Sequence, residues 1–107
     1  MRHNAKILAA ALVLLAFTSA LDHPAGTKLW EFYVGTPIQS SPALDADGTV
    51  YFGADNGKLY AFTPEGAGKW EFPTGDALVA SPAITADGTV VIGSVDGSLY
   101  AIGADGV

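Results

Sequence analysis

Residues 28–67 read KLWEFYVGTPIQSSPALDADGTVYFGADNGKLYAFTPEGA, and residues 68–107 repeat the pattern as GKWEFPTGDALVASPAITADGTVVIGSVDGSLYAIGADGV. The two stretches align end to end without a gap, and 18 of the 40 paired positions are identical. A fixed period of about 40 residues marks a repeat architecture, and the four-stranded blades of β-propellers have periods of this length. The sequence therefore predicts an all-β fold: two β-propeller blades of four antiparallel strands, in an incomplete ring.

Each copy contains four short apolar runs separated by turn residues, and we predict one strand in each run. In the first copy these strands cover residues 28–34, 41–44, 49–54 and 58–62, and the same pattern returns at the matching positions of the second copy. Asp-Gly and Asn-Gly between apolar runs are strong hairpin signals, because glycine accepts the positive φ of a tight turn. After residue 20, no stretch has the periodicity of a helix.

The repeated side chains, including the two tryptophans, are interpreted as structural and not as functional residues. A ligand site would not need the same tryptophan in every copy, so we interpret the two indoles as wedges between neighbouring blades rather than as a stacking pair for a ligand. We assign structural roles, and no catalytic, cofactor-binding or metal-binding role, to ten repeated positions: Trp30, Trp70, Pro42, Pro82, Gly48, Gly88, Gly57, Gly97, Tyr60 and Tyr100.

The first twenty residues have the layout of a secretory signal peptide. A basic start with Arg2 and Lys6 precedes an unbroken apolar run over residues 7–17, and the small residues Thr18-Ser19-Ala20 follow. The alternative is an uncleaved membrane anchor, but a span needs about 20 apolar residues. We predict a signal peptide over residues 1–20, a linker over 21–27, a periplasmic or secreted protein, and no membrane association after cleavage.

Composition excludes several classes of function. There is no cysteine, so disulfides, thiolate chemistry and a lipid-modified cysteine are absent. Residues 21–107 hold three lysines, no arginine and all eleven acidic residues, for a net charge of −8. Nucleic-acid binding needs clustered Lys and Arg, so we predict no nucleic-acid partner.

No catalytic or metal-binding set can be assembled from the remaining side chains. His23 is the one histidine after residue 20, which leaves no Ser-His-Asp combination. Asp45-x-Asp47-Gly48 suggests a calcium loop, but such a loop needs a bidentate Glu at its twelfth position, where Asn56 stands. The second copy has Thr85 in place of Asp45. We therefore interpret these aspartates as turn residues and predict no cofactor.

The ordered set Ser-Pro-Ala, Asp-Gly-Thr-Val, Gly, Asp/Asn-Gly, Leu-Tyr-Ala and a Trp strand resembles the repeat of the pyrroloquinoline-quinone-like β-propellers. The resemblance covers residues 28–107, the two predicted repeats being 28–67 and 68–107. It implies that residues 28–34 form the outer strand of a preceding blade. It also implies that residues 39–74 form one complete blade, and that residues 79–102 form the inner three strands of another.

The resemblance leaves two functions open, because the family includes quinone-dependent dehydrogenases and a non-enzymatic scaffold of outer-membrane assembly. The dehydrogenases carry a vicinal cysteine pair, and the carboxylates of their quinone need basic partners, whereas residues 21–107 contain no cysteine and no arginine. We favour an exported, non-catalytic, protein-binding or scaffold module with an unknown protein partner. The alternative is a fragment of a quinone-dependent alcohol or sugar dehydrogenase.

Two repeats are fewer than the three that a repeat fold normally needs for stability. The second copy ends at Val107, before a third Trp strand. We therefore expect a truncated fragment of a longer propeller, in which further blades, or self-assembly of the chain, complete the ring.

Overall fold

Two antiparallel sheets follow one another along the chain in the computed structural model, which describes residues 23–107. The predicted signal peptide lies outside the described residues. Neighbours in sequence are neighbours in each sheet. The first sheet consists of β1 (Ala43–Leu44), β2 (Val50–Gly53), β3 (Lys58–Phe62) and β4 (Gly68–Pro73). The second consists of β5 (Ala83–Ile84), β6 (Val90–Gly93) and β7 (Leu99–Ile102). Over residues 23–107 there is no helix long and apolar enough to cross a membrane.

Apolar residues on both faces of the first sheet explain why its central strands lack a simple polar alternation. Tyr51 and Phe52 are neighbours in β2 and point to opposite faces. On one face the first sheet packs against the second in a buried cluster. On the other face Phe52 packs with Tyr60 and Phe62, and Val34 of the preceding segment covers them. The first sheet is therefore covered on both faces, by the second sheet on one and by the preceding segment on the other. The cluster between the sheets contains Tyr51, Leu59, Ala61, Leu78, Val90, Ile92 and Ile102.

The segment over residues 28–34 differs from its prediction. The sequence predicts a strand there, whereas the structure has none. Trp30 stacks on Phe62 with 6.2 Å between ring centroids, and Phe32 lies 4.7 Å from the same ring. The segment packs across a sheet face instead of along a sheet edge. A strand needs a hydrogen-bonded neighbour, and none of the described strands lies beside this segment.

The remaining strand boundaries differ from the prediction by a few residues at most. β3 covers residues 58–62 as predicted, whereas β1 begins at Ala43 instead of Ser41. The Ser41 amide donates to the Ser81 hydroxyl at 2.9 Å, and Pro42 has no N–H to give, so the ladder starts only after them. As the resemblance implies, the four-stranded sheet falls within residues 39–74 and the three-stranded sheet within residues 79–102.

Candidate functional site

Each tryptophan docks on the last turn of its own repeat, which belongs to the blade after the tryptophan. Trp30 Nε1 donates to the Pro64 carbonyl at 3.0 Å, and Trp70 Nε1 donates to the Ala104 carbonyl at the same distance. The indole of Trp70 lies against Gly106, where an added Cβ would sit 2.9 Å from the ring. Because both indoles hold a turn of the following blade, they are occupied by contacts within the protein.

The turn between β1 and β2 is held by the Asp45 carboxylate. Its Oδ1 accepts the amides of Asp47 and Thr49 at 3.1 and 3.0 Å, and its Oδ2 accepts the Tyr51 hydroxyl at 2.8 Å. Asp47 Oδ1 accepts the Thr49 hydroxyl at 2.7 Å. These bonds match those of an Asx turn, in which an aspartate stabilises the backbone that follows it.

The second copy builds the same turn with a threonine in place of the first aspartate. The Thr85 hydroxyl donates to Asp87, and the Thr89 amide donates to the Thr85 hydroxyl at 3.1 Å. The hydrogen bond from Thr85, followed by the one from the Thr89 amide, lowers the pKa of the Asp87 carboxyl. In the first copy, hydrogen bonding with Asp45 and then with Thr49 lowers the pKa of Asp47 to about 2. Both carboxylates are therefore ionised well into the acidic range.

A groove of about 460 Å³ runs between these two turns. Asp47 and Asp87 stand at its rim, and each uses only its Oδ1 in the described hydrogen bonds of its turn. Leu44, Ile84 and Ala104 supply apolar surface beside them. The groove thus combines the carboxylates of Asp47 and Asp87 with apolar surface, an arrangement suited to a polypeptide segment that carries apolar and basic side chains.

Comparison with known proteins identifies the family. A family model described as outer membrane protein assembly factor BamB matches residues 18–107. The chain belongs to this BamB family. No curated protein matches the chain.

A solved member of the family has the same fold. The crystal structure of BamB from Moraxella catarrhalis matches with a TM-score of 0.66 and 21% sequence identity. The match covers 78% of this chain and 26% of that one, so the chain spans about a quarter of that protein. The predicted all-β, β-propeller fold and the family resemblance are thereby confirmed, with sheets of four and three antiparallel strands in an unclosed ring.

The basic side chains of the described residues do not form a site for a carboxylated quinone, the cofactor that the wider propeller family implies. Lys28 pairs with Glu31 at 3.1 Å, and Lys58 pairs with Glu71 at 2.9 Å. Lys69 donates to Thr49 at 3.2 Å. The three ammonium groups are thus engaged separately, and residues 23–107 contain no arginine. They do not offer a cluster of cations for the three carboxylates of the quinone.

No metal site is evident among residues 23–107, where no three His, Asp or Glu side chains come together in a way that could hold an ion. His23 is exposed. The predicted absence of a metal, a cofactor and a catalytic set stays a prediction for the protein as a whole.

The other repeated positions lie in turns and beside strands. Pro42 precedes β1 and is exposed, whereas Pro82 precedes β5 and is buried. Asn56 donates to the Tyr60 hydroxyl at 2.8 Å, and Tyr100 donates to Asp96 Oδ2 at 2.6 Å. Four turn glycines have positive φ: Gly48, Gly57, Gly88 and Gly97. The structure does not bring the ten repeated positions together into one site; it distributes them along both sheets.

Sequence reasoning missed Leu78, the residue that joins the two sheets. Leu78 is fully buried, and its amide donates to the Ala54 carbonyl at 3.0 Å. An added Cβ at Gly53 would lie 2.6 Å from the Leu78 Cβ, so the leucine fills a slot that a glycine leaves open. The residue at the same position of the first copy is Ile38, which is apolar but not identical. Scoring similar residues in addition to identical ones would have found this pair.

Proposed function

We propose that the chain is a module of a non-catalytic β-propeller that binds another protein as a scaffold outside the cytoplasm. Membership of the BamB family carries this proposal, because the family is described by an assembly factor and not by a dehydrogenase. An assembly factor works by binding, and propellers present loops for recognition on a rigid frame. The dehydrogenase alternative has no support from the lysines, which are engaged at separate places.

The groove between the turns at Asp45–Gly48 and Thr85–Gly88 is the binding surface that we propose. An apolar side chain of the partner contacts Leu44, Ile84 and Ala104, and a neighbouring Lys or Arg contacts the carboxylates of Asp47 and Asp87. Both aspartates are ionised at neutral pH, and the hydrogen bonds within their turns lower their pKa values, which extends the charged range to lower pH. Loops that frame such a groove are held in place by the sheets, so the surface exists before the partner binds.

Site-specific photo-crosslinking in cells that naturally produce the protein tests this surface. A photoreactive amino acid at Ala86, which is exposed in the groove, is expected to give a discrete adduct with one protein. The same amino acid at Asn56, in the turn after β2, is expected to give none. Asp47→Asn together with Asp87→Asn should abolish the adduct while keeping the oxygens that hold the turns.

A matched control removes two charges from neighbouring turns without touching the groove. Glu65→Gln together with Asp105→Asn does this, since both residues are exposed and neither lines the groove. The adduct should persist in this variant. Equal adducts from Ala86 and Asn56, or no adduct from Ala86, would rule out the groove as the binding surface.

Export is part of the same proposal and has its own test. The basic start, apolar run and small residues before Leu21 support it. We expect the protein in the extracytoplasmic fraction with Leu21 as its first residue, which N-terminal sequencing of the purified protein would establish. A cytoplasmic protein that retains Met1 would contradict export but leave the groove untouched.

A further inference from the structure

The last turns of the two repeats differ at a position that shapes the groove. Residues 63–66 read Thr-Pro-Glu-Gly, and the equivalent residues 103–106 read Gly-Ala-Asp-Gly. Pro64 and Ala104 therefore hold the same place in their turns, and of the two only Ala104 lines the groove. The exchange of a proline for an alanine thus lies at the binding surface that we propose.

The ring of Pro64 rests on a turn glycine of its own repeat. A Cβ added at Gly48 would lie 2.9 Å from Pro64 Cγ and 3.7 Å from Pro64 Cβ. At Gly88, the equivalent glycine, an added Cβ would meet the Ala104 Cβ at 3.3 Å and, beyond its chain neighbours, no other described atom within 4 Å. An alanine ends at its Cβ, so the volume that the Pro64 ring carbons fill in the first repeat is open beside Gly88 in the second.

This open volume faces the other described repeat. Gly88 and Ala104 line the groove together with Leu44, Ala46 and Asp47 of the first repeat. The volume therefore lies between two consecutive turns and not on the outward face of either sheet. Its walls come entirely from residues 44–104, so they are complete within the two described repeats.

Apolar surface and a carboxylate adjoin the open volume. Ile84 and Ala104 supply the apolar surface, and Asp87 precedes Gly88 in the chain. Asp87 Oδ1 accepts the Thr89 amide at 3.1 Å, which fixes the carboxylate beside the groove. An occupant that matches these walls is apolar where it meets Ala104 and carries a positive charge close by.

We propose that Ala104 sets the specificity of the groove, because it leaves room for a branched or aromatic apolar side chain of the partner beside Gly88. A Lys or Arg next to that side chain in the partner pairs with Asp87. The inference rests on the proposed function, since it concerns the same groove. It adds that the partner segment needs a bulky apolar residue, and that one residue of this chain decides whether that side chain fits.

Ala104→Pro tests the inference without disturbing the turn. Both turns are closed by the same two backbone hydrogen bonds, and neither bond uses the amide of Pro64 or Ala104. Trp70 Nε1 donates to the carbonyl of Ala104, as Trp30 Nε1 donates to that of Pro64, and a proline keeps this carbonyl. The first repeat thus shows that the turn accepts a proline, and thermal unfolding of the purified variant should show no loss of stability.

The measurement is the yield of the photo-crosslinked adduct from Ala86 in cells that naturally produce the protein. Ala104→Pro should lower this yield about tenfold, because its ring displaces contacts equivalent to about two buried methylene groups of the partner. Ala104→Val adds volume without fixing the backbone, and it should lower the yield as well. Pro64→Ala is the matched control, since it makes the reverse exchange outside the groove and should leave the yield unchanged.

Mass spectrometry of the adduct adds a second readout. The crosslinked segment of the partner should contain a bulky apolar residue next to a Lys or Arg, and a segment without this pair would overturn the inference. An undiminished yield in both Ala104 variants, or an equal loss in Pro64→Ala, would also overturn it while leaving the groove as the binding surface. If the unmodified chain gives no adduct from Ala86, the proposed function fails, and the inference fails with it.

Discussion

The Tyr51 side chain is fully buried, yet its hydroxyl group has a charged partner. It donates to Asp45 Oδ2 at 2.8 Å, at the end of the turn that Asp45 organises. Burial, followed by the hydrogen bond to Asp45, raises the pKa of Tyr51 to about 12. The bond thus links the β1–β2 turn to the core between the sheets, because Tyr51 is a member of that core.

Tyr51→Phe should lower the free energy of unfolding by about 1–2 kcal/mol at neutral pH, since Asp45 Oδ2 loses its donor. The raised pKa of Tyr51 also favours the folded state at any pH below the ordinary tyrosine pKa of about 10. That contribution disappears as the pH rises from there to about 12. Urea denaturation at neutral and alkaline pH should show a smaller alkaline loss in the variant.

Tyr33→Phe is the matched control, because Tyr33 is 89% exposed, and it should leave stability unchanged. Absorbance titration of tyrosinate should lose its most alkaline component in Tyr51→Phe and in no control. Equal stability of the variant and the unmodified chain would refute the role of this bond.

The sequence predicts the turns from their Asp-Gly and Asn-Gly residues, but it does not predict the hydrogen bond between Tyr51 and Asp45. The pair lies at positions where the copies differ: Val91 replaces Tyr51, and Thr85 replaces Asp45. A comparison restricted to identical positions therefore passes over it. Both positions differ in the second copy, where a valine could not donate a hydrogen bond to a carboxylate, so the joint difference between the copies was the available signal. The groove escaped prediction for a similar reason, since its walls come from two turns that belong to different repeats.

The Trp-Glu-Phe motif forms a strand in one copy and not in the other. Trp70-Glu71-Phe72 lies in β4, which pairs with β3, whereas Trp30-Glu31-Phe32 lies in a segment without strand structure. Alternation of apolar side chains predicts which face a strand buries, and Trp30 and Phe32 do lie on the aromatic face of the first sheet. It does not predict whether a neighbour exists, because a strand depends on a ladder with another segment.

Trp70→Ala should therefore cost more stability than Trp30→Ala. Trp70 lies 5.8 Å from the Tyr51 ring, belongs to a paired strand and donates to the next blade. We expect a loss of about 3 kcal/mol for Trp70→Ala, the lower end of the range for a buried tryptophan because the indole is only half-buried. The loss for Trp30→Ala should be about 1 kcal/mol.

Chemical denaturation followed by circular dichroism measures both values without depending on tryptophan emission. Trp70→Phe separates the two contributions at this position, since it keeps an aromatic ring and removes the Nε1 donor to Ala104. It should fall between the unmodified chain and Trp70→Ala. Equal losses at Trp30 and Trp70 would show that strand pairing adds nothing to the docking of the indole.

The two described sheets are held against each other by a buried apolar cluster, within which Leu78 packs closely against Gly53. The repeat predicts that the sheets stack, and the offset of one strand between repeats and sheets follows from the family resemblance. The interlocking of Gly53 with Leu78 depends on atomic distances that no pattern contains. Gly53 and Gly93 are equivalent positions of the two repeats, yet only Gly53 has a leucine packed against it.

Gly53→Ala and Gly93→Ala should therefore differ in their effect on the free energy of unfolding. The added Cβ at Gly53 would lie 2.6 Å from the Leu78 Cβ and 3.1 Å from its carbonyl oxygen, so the sheets must move apart. Overpacking of this kind costs about 1–3 kcal/mol. Gly93→Ala meets no atom within 4 Å and has no positive φ, so it should be neutral or should stabilise slightly by restricting the unfolded chain. Urea unfolding of both variants, at one low concentration, checks the contrast. Similar midpoints for the two variants would mean that the sheets do not interlock at Gly53.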